Sequence, residues 1–227
     1  QVFQNWLRVP SSMKKYINVF VATLFLTAIT TAKSEISVGF GLMYGQTEIS
    51  GTESEGTAAD TSTRTKTIKE QFVGGDIFIE NISDSGLTFG LSYVPLDIEL
   101  GSGSRTDTTA GADIASEADT GTRKASADLE NLFTLYTNVP FGSNGYYGLL
   151  GVHMTTVTTA ETLNNSTYGN EDIMGAQVGL GFRSGNFKTE VSYSDFEDIS
   201  LSSGAGDNSN SVTADADALT LRVSIGF

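Results

Sequence analysis

The chain of 227 residues contains one histidine and no cysteine, so thiolate nucleophiles, disulfides and Cys-based metal sites are excluded. Two other groups could do chemistry. The imidazole of His153 could serve as the general base of a lipid-modifying membrane enzyme by activating a hydroxyl. No recognisable triad pattern accompanies it, and a hydrogen-bonded interior residue is the preferred reading. The run Asp207-Asn208-Ser209-Asn210 carries part of the oxygen-donor alternation of a calcium loop but lacks the remaining ligands. No catalytic residue, metal site or cofactor is assigned.

A second chemistry lies in charges that interrupt alternating apolar segments. Asp76, Glu130, Arg183, Lys188, Glu190 and Arg222 all fall on the polar parity of such segments. Charges on an enclosed face must be paired to be tolerated, and Glu190 and Arg222 are expected to pair from neighbouring strands. Such a network either fills a lumen or gates a small conductance, and filling is the preferred reading for a narrow barrel.

The elements that would position these residues follow period two, the signature of strands. In the last segment Leu219, Leu221, Val223, Ile225 and Phe227 alternate with Thr220, Arg222, Ser224 and Gly226. In the first, Ile36, Val38, Phe40, Leu42 and Tyr44 alternate with small or polar residues. Comparable segments centre on Val73–Glu80, Leu87–Tyr93, Leu129–Val139, Tyr146–Thr155, Met174–Arg183 and Phe187–Tyr193. The third slips in phase at Pro95, where a bulge would return Leu96, Ile98 and Leu100 to the outward face. The fourth places Leu129, Phe133, Leu135 and Val139 outward, opposite Glu130, Thr134, Tyr136 and Asn138.

The count is even, and the connections alternate in length. Long ones are expected at about 51–65, 101–124, 161–170 and 202–213, and short ones at 81–86, 140–145 and 184–186. Transmembrane barrels place short turns on the periplasmic side and long loops outside. The polar parity is rich in glycine, which suits the narrow lumen of eight strands, and the outward apolar face suits lipid. The reading is an all-β fold: an eight-stranded antiparallel up-and-down transmembrane β-barrel covering residues 35–227.

Residues 13–34 read as a cleavable secretory signal: Lys14 and Lys15, an apolar stretch from Ile17 to Ile29, then small residues. Cleavage after Ala32 and after Ser34 both satisfy the pattern. The apolar stretch is shorter than the roughly 20 residues of a spanning helix. Residues 1–12 are an upstream extension of unknown origin. All 27 acidic residues lie beyond Lys33, whereas Arg8, Lys14 and Lys15 precede it, so loss of residues 1–32 takes the net charge from −14 to −17. A chain this acidic does not bind nucleic acid by phosphate neutralisation.

The C-terminal alternation Leu219, Leu221, Val223, Ile225, Phe227 resembles the assembly signature of bacterial outer-membrane barrels. With eight strands and four long loops, residues 35–227 resemble the transmembrane domain of outer-membrane protein A and the porin-like opacity-protein family. The resemblance implies a bacterial outer-membrane location, contact with outer-membrane lipids and lipopolysaccharide, insertion by the barrel-assembly machinery, and an extracellular ligand or surface partner. It implies no cofactor. Three functions are weighed: a structural or surface-interaction barrel acting through its long loops, a small passive and weakly cation-selective pore, and, last, the lipid-modifying enzyme.

Overall fold

The computed structural model describes residues 34–57, 60–107, 121–162, 167–203 and 211–227. The expected signal segment 13–34 lies almost wholly outside the described residues, as do the upstream residues 1–12 and Asp207–Asn210.

Every described element is a strand: β1 (Ser34–Thr57), β2 (Asp60–Ser83), β3 (Thr88–Val94), β4 (Ile98–Asp107), β5 (Gly121–Pro140), β6 (Tyr146–Glu161), β7 (Glu171–Ser184), β8 (Phe187–Phe196), β9 (Ile199–Ser202) and β10 (Ser211–Gly226). β3 and β4 form one stave broken at Pro95–Asp97, and β8 and β9 another broken at Glu197–Asp198, so ten strands make eight staves. All pairings are antiparallel, and β1 pairs with β10 from Gly39↔Gly226 to Ser54↔Ser211, which closes the ring. The result is an eight-stranded up-and-down β-barrel.

Alternation sets which way each face points. Ile36, Val38, Phe40, Leu42 and Tyr44 of β1 are exposed, as are Leu219, Leu221 and Val223 of β10, while Ser37, Gly41 and Ser224 are buried. The outward apolar run ends at Tyr44, Val73, Phe133, Met154, Met174, Tyr193 and Leu219, and the next outward residues are Gln46, Gln71, Asn131, Thr156, Asp172, Asp195 and Asp217. At roughly 3.3 Å per residue the tilted segment Ile36–Tyr44 covers on the order of 20 Å, the scale of the ~25 Å apolar band of membrane barrels. Aromatic pairs mark its rims: Phe40–Phe227, Tyr146–Phe182 and Phe141–Tyr146 at the short-turn end, and Tyr93 stacked on Phe133 at 4.6 Å near the other. An exposed apolar belt around a closed ladder is a membrane-spanning design.

Three sequence expectations are corrected. The first long connection is mostly strand: β1 and β2 stay paired up to Thr57↔Asp60, so residues 51–57 and 60–65 form a ribbon projecting beyond the belt. Ile98 and Leu100 do not return outward after Pro95; they keep the inward parity of Thr88 and Gly90 and are buried, leaving only Leu96 exposed. Leu129 is also buried and inward, because a bulge at Asn131 (φ 53°) shifts the β5–β6 register between Glu130 and Phe133. The reason is common to the last two. Beyond the belt the lumen fills with Val94, Ile98, Leu100, Leu129, Val157 and Leu201, so apolar side chains are wanted inside there.

The inward glycines make room for rings. A methyl on Gly39 would overlap Phe78, one on Gly90 would overlap Tyr136, and one on Gly181 would overlap Tyr147. Each pair places a large inward ring against a bare neighbouring backbone. Gly90→Ala should therefore lower stability by about 1–3 kcal/mol, whereas Gly148→Ala, with nothing within 4 Å of the added carbon, should leave it unchanged. Urea unfolding in lipid vesicles, followed by heat-modifiable gel mobility, would test the contrast.

Candidate functional site

Among the described residues, the half of the lumen at the short-turn end holds six charges, in two hydrogen-bonded clusters whose signs balance. Glu80 accepts from Arg183 Nη2 at 2.7 Å, from Lys188 Nζ, and from the Tyr136 hydroxyl at 2.9 Å. Arg222 grips Asp76 with Nε and Nη2 at 2.9 and 2.7 Å and reaches Glu190 with Nη1. The Tyr147 hydroxyl donates to Glu190 at 2.8 Å. Three carboxylates thus face three cations. Phe78 lies between the halves, with Lys188 Nζ 4.2 Å from its ring centroid and the Arg222 guanidinium at 4.9 Å. These cations gain a ring face as well as a carboxylate.

The ladder explains why these residues meet. Gly41↔Asp76 and Met43↔Arg222 on the two sides of β1 bring β2 and β10 charges across its narrow glycine track, and Glu190↔Arg222 are direct partners between β8 and β10. Asp76, Arg183, Lys188, Glu190 and Arg222 of the sequence-level set all line this one lumen. Glu130 does not. The Asn131 bulge turns it to the outer face, where it accepts from Thr158 Oγ1 at 2.8 Å. Glu80 is outside that set, although it is buried and shares the parity of Asp76 two repeats of the pleat away. Its position on the polar parity four residues after Asp76 was the available signal. Leu219, Leu221, Val223, Ile225 and Phe227 face the lipid side of β10, away from the network.

Above the network His153 is buried and held from both sides, Nδ1 against Thr134 Oγ1 at 2.7 Å and Nε2 against Ser194 Oγ at 2.9 Å, with its ring stacked on Phe196. Among the described residues no carboxylate hydrogen-bonds to it. Ser192 and Gln177 continue the polar layer with a 2.8 Å bond. Between this layer and the apolar upper core lies a cavity of about 70 Å³.

Outside the barrel, just above the belt, Asp97 at the end of the Pro95–Asp97 break lies with Glu99 of β4 and Asp128 and Glu130 of β5. Partial burial, with the carboxylates of Glu99, Asp97 and Glu130, raises the Asp128 carboxyl above its ordinary value. The Lys69–Glu48 ion pair sits on the neighbouring ribbon at 2.8 Å.

Glu80→Gln leaves buried Lys188 without its carboxylate and should cost about 3–5 kcal/mol, much of it recovered in Glu80→Leu with Lys188→Met; unfolding titrations of the single and double variants in vesicles would show it. Because the folded Asp128 pKa is raised, its protonated form favours the fold, and that contribution is lost as pH rises through the folded pKa. Asp128→Asn should raise thermal stability above the carboxylate range and have no effect below it, read from melting at a series of pH values.

No protein-family model matches the sequence, and no curated protein matches it. Solved structures similar to the chain include Neisserial surface protein A (12% identity, 82% of this chain and 97% of that one, TM-score 0.38). Outer membrane protein OprG from Pseudomonas aeruginosa is similar at 10% identity over 83% of this chain and 96% of that one, with a TM-score of 0.47. Outer membrane protein AlkL, solved in lipid bilayers, is similar at 12% identity over 83% and 90%, with a TM-score of 0.46. By its own closed ring, apolar belt and filled lumen, the chain is a small eight-stranded β-barrel of the outer-membrane kind.

Proposed function

We propose that this outer-membrane barrel is a plugged scaffold with a structural or surface-interaction role, carried by the ribbons and loops that rise beyond its belt. The observation that supports this most is the closed network of Asp76, Glu80, Glu190, Arg183, Lys188 and Arg222. It occupies the lumen cross-section, with Glu80, Lys188 and Glu190 each about 3% exposed or less. A wide aqueous path would leave such charges hydrated, and this network instead satisfies them with one another. The paired β1–β2 ribbon runs from the belt rim at Tyr44↔Val73 to Thr57↔Asp60, braced by β10 as far as Ser54↔Ser211. A hydrogen-bonded ribbon presents its side chains in fixed register, which suits recognition better than a slack loop. The acidic surface around Asp97, Glu99, Asp128 and Glu130 favours a basic partner over an anionic one. Lipopolysaccharide, the barrel-assembly machinery and an extracellular ligand are the partners proposed for this architecture.

The pore and enzyme readings rank below it. His153 lies in the lumen between two hydroxyls, and among the described residues no carboxylate hydrogen-bonds to it and orients the ring. Refolded into planar bilayers with insertion verified by gel mobility, the protein should be electrically silent, and exchanging residues 46–71 for a short turn should remove surface binding while the barrel persists. Steady cation-selective openings, altered by Glu190→Gln, would replace this reading with the pore.

A further inference from the structure

Among the described residues, the barrel wall is unzipped inside the apolar belt at one place. The β2–β3 ladder runs from Ile82↔Thr88 only as far as Ile77↔Tyr93. Beyond it β2 remains paired with β1, and β4 pairs with β5, but among the described residues no backbone pairing joins β2 to β4. The next opposed positions would be Asp76 with Val94 and Gly75 with Pro95. Pro95 has no N–H to donate, and the chain swings through Leu96 and Asp97 before β4 begins. Higher up the lips touch again, where a carbon added to Gly101 would sit 3.2 Å from the Ile68 side chain. The gap is therefore a bounded window. Its lower part lies within the apolar belt, since Val73 is level with Tyr44 and is 79% exposed, and Leu96 on the opposite lip is 63% exposed.

The internal cavity sits behind this window. Phe72 and Asp76 from one lip and Val94 and Ile98 from the other form part of its lining. Its upper surface is apolar, and its floor offers the hydroxyls of Thr134, Ser192 and Ser194 with His153. The charges of Asp76, Glu190 and Arg222 at the floor already satisfy one another, so the site favours an uncharged guest. Its volume of about 70 Å³ is roughly half that of a 150 Å³ cavity that takes benzene, so the guest is short. Unpaired backbone inside a hydrocarbon layer is tolerated where it lines a cavity, which is the arrangement here.

We propose that the window between β2 and the β3–β4 break is a lateral port, through which the cavity exchanges a small uncharged amphiphile, of the short-chain alcohol class, with the outer leaflet. The ion network closes the periplasmic way out and the apolar upper core closes the other. The port does not depend on the surface-interaction reading.

The test uses methyl-labelled methionine in nanodiscs, with ethanol, the size of guest this volume admits, as the probe. Met43 lines the cavity, whereas Met154 faces lipid. Ethanol should shift the Met43 methyl saturably and the Met154 methyl only in proportion to its partition into lipid. Gly74→Leu, at a position where an added carbon meets only the Met43 methyl at 3.4 Å, should abolish the saturable shift with the barrel still folded. The route is read from Gly75→Cys with Pro95→Cys, in a chain with no other cysteine. Closing that pair, by oxidation or by a dibromobimane bridge, should slow exchange at Met43 and restore it on release. A Met43 shift that only tracks Met154 overturns the site. Saturable binding whose exchange is the same with the lips bridged and free overturns the lateral route and makes the source the aqueous side.

Discussion

A hydrocarbon layer offers the backbone no hydrogen-bond partner, and most of this molecule follows from that constraint. The chain meets it by closing β1 on β10 over a register that extends well past the belt, from Gly39↔Gly226 to Ser54↔Ser211. Once the ring is closed, period-two alternation must send one parity to lipid and the other to a lumen only wide enough for side chains. The inward parity therefore carries glycines opposite Phe78, Tyr136 and Tyr147 rather than a uniform layer of middle-sized residues. The one place where the ladder lapses inside the belt, beside Pro95, stands in front of the internal cavity.

The lumen is layered by polarity. At the short-turn end, three carboxylates and three cations cancel across the barrel, and two tyrosine hydroxyls take up acceptor positions that the cations leave. A middle layer built on His153, Thr134, Ser192 and Ser194 is neutral and hydrogen-bonded. Beyond the belt the interior becomes an apolar core of the kind found in water-soluble proteins. That order is physically reasonable: outside the membrane both faces of the ribbon meet water, so an apolar interior gains stability there, whereas within the belt the outward face already has lipid.

Much of this was legible residue by residue. The outward runs Ile36–Tyr44 and Leu219–Phe227 and the short turns at residues 84–86 and 185–186 came directly from alternation and turn chemistry. Five of the six charges assigned to the lumen line it, because their strands keep a single parity from turn to rim. Glu130 is the sixth, and it fails for a local reason: one extra residue at Asn131 reverses the faces of everything above it in β5, including Leu129. Nothing in the residue types around Asn131 distinguishes a bulge from a continuing strand. By alternation alone the apolar run after Pro95 seeks lipid, because the sequence does not say where along each stave the membrane stops.

The sequence by itself determined the period, the number of staves, which end carries the tight turns, and the acidic balance of the chain, since these are properties of neighbouring residues and simple sums. Only the tertiary structure decided which charges pair, that Glu80 stands between Arg183 and Lys188, and that the wall opens between β2 and β4. Those outcomes depend on strand stagger around the ring, where residues such as Glu80 and Arg183, 103 positions apart, come to the same height. A one-residue shift anywhere in the register would have chosen different partners.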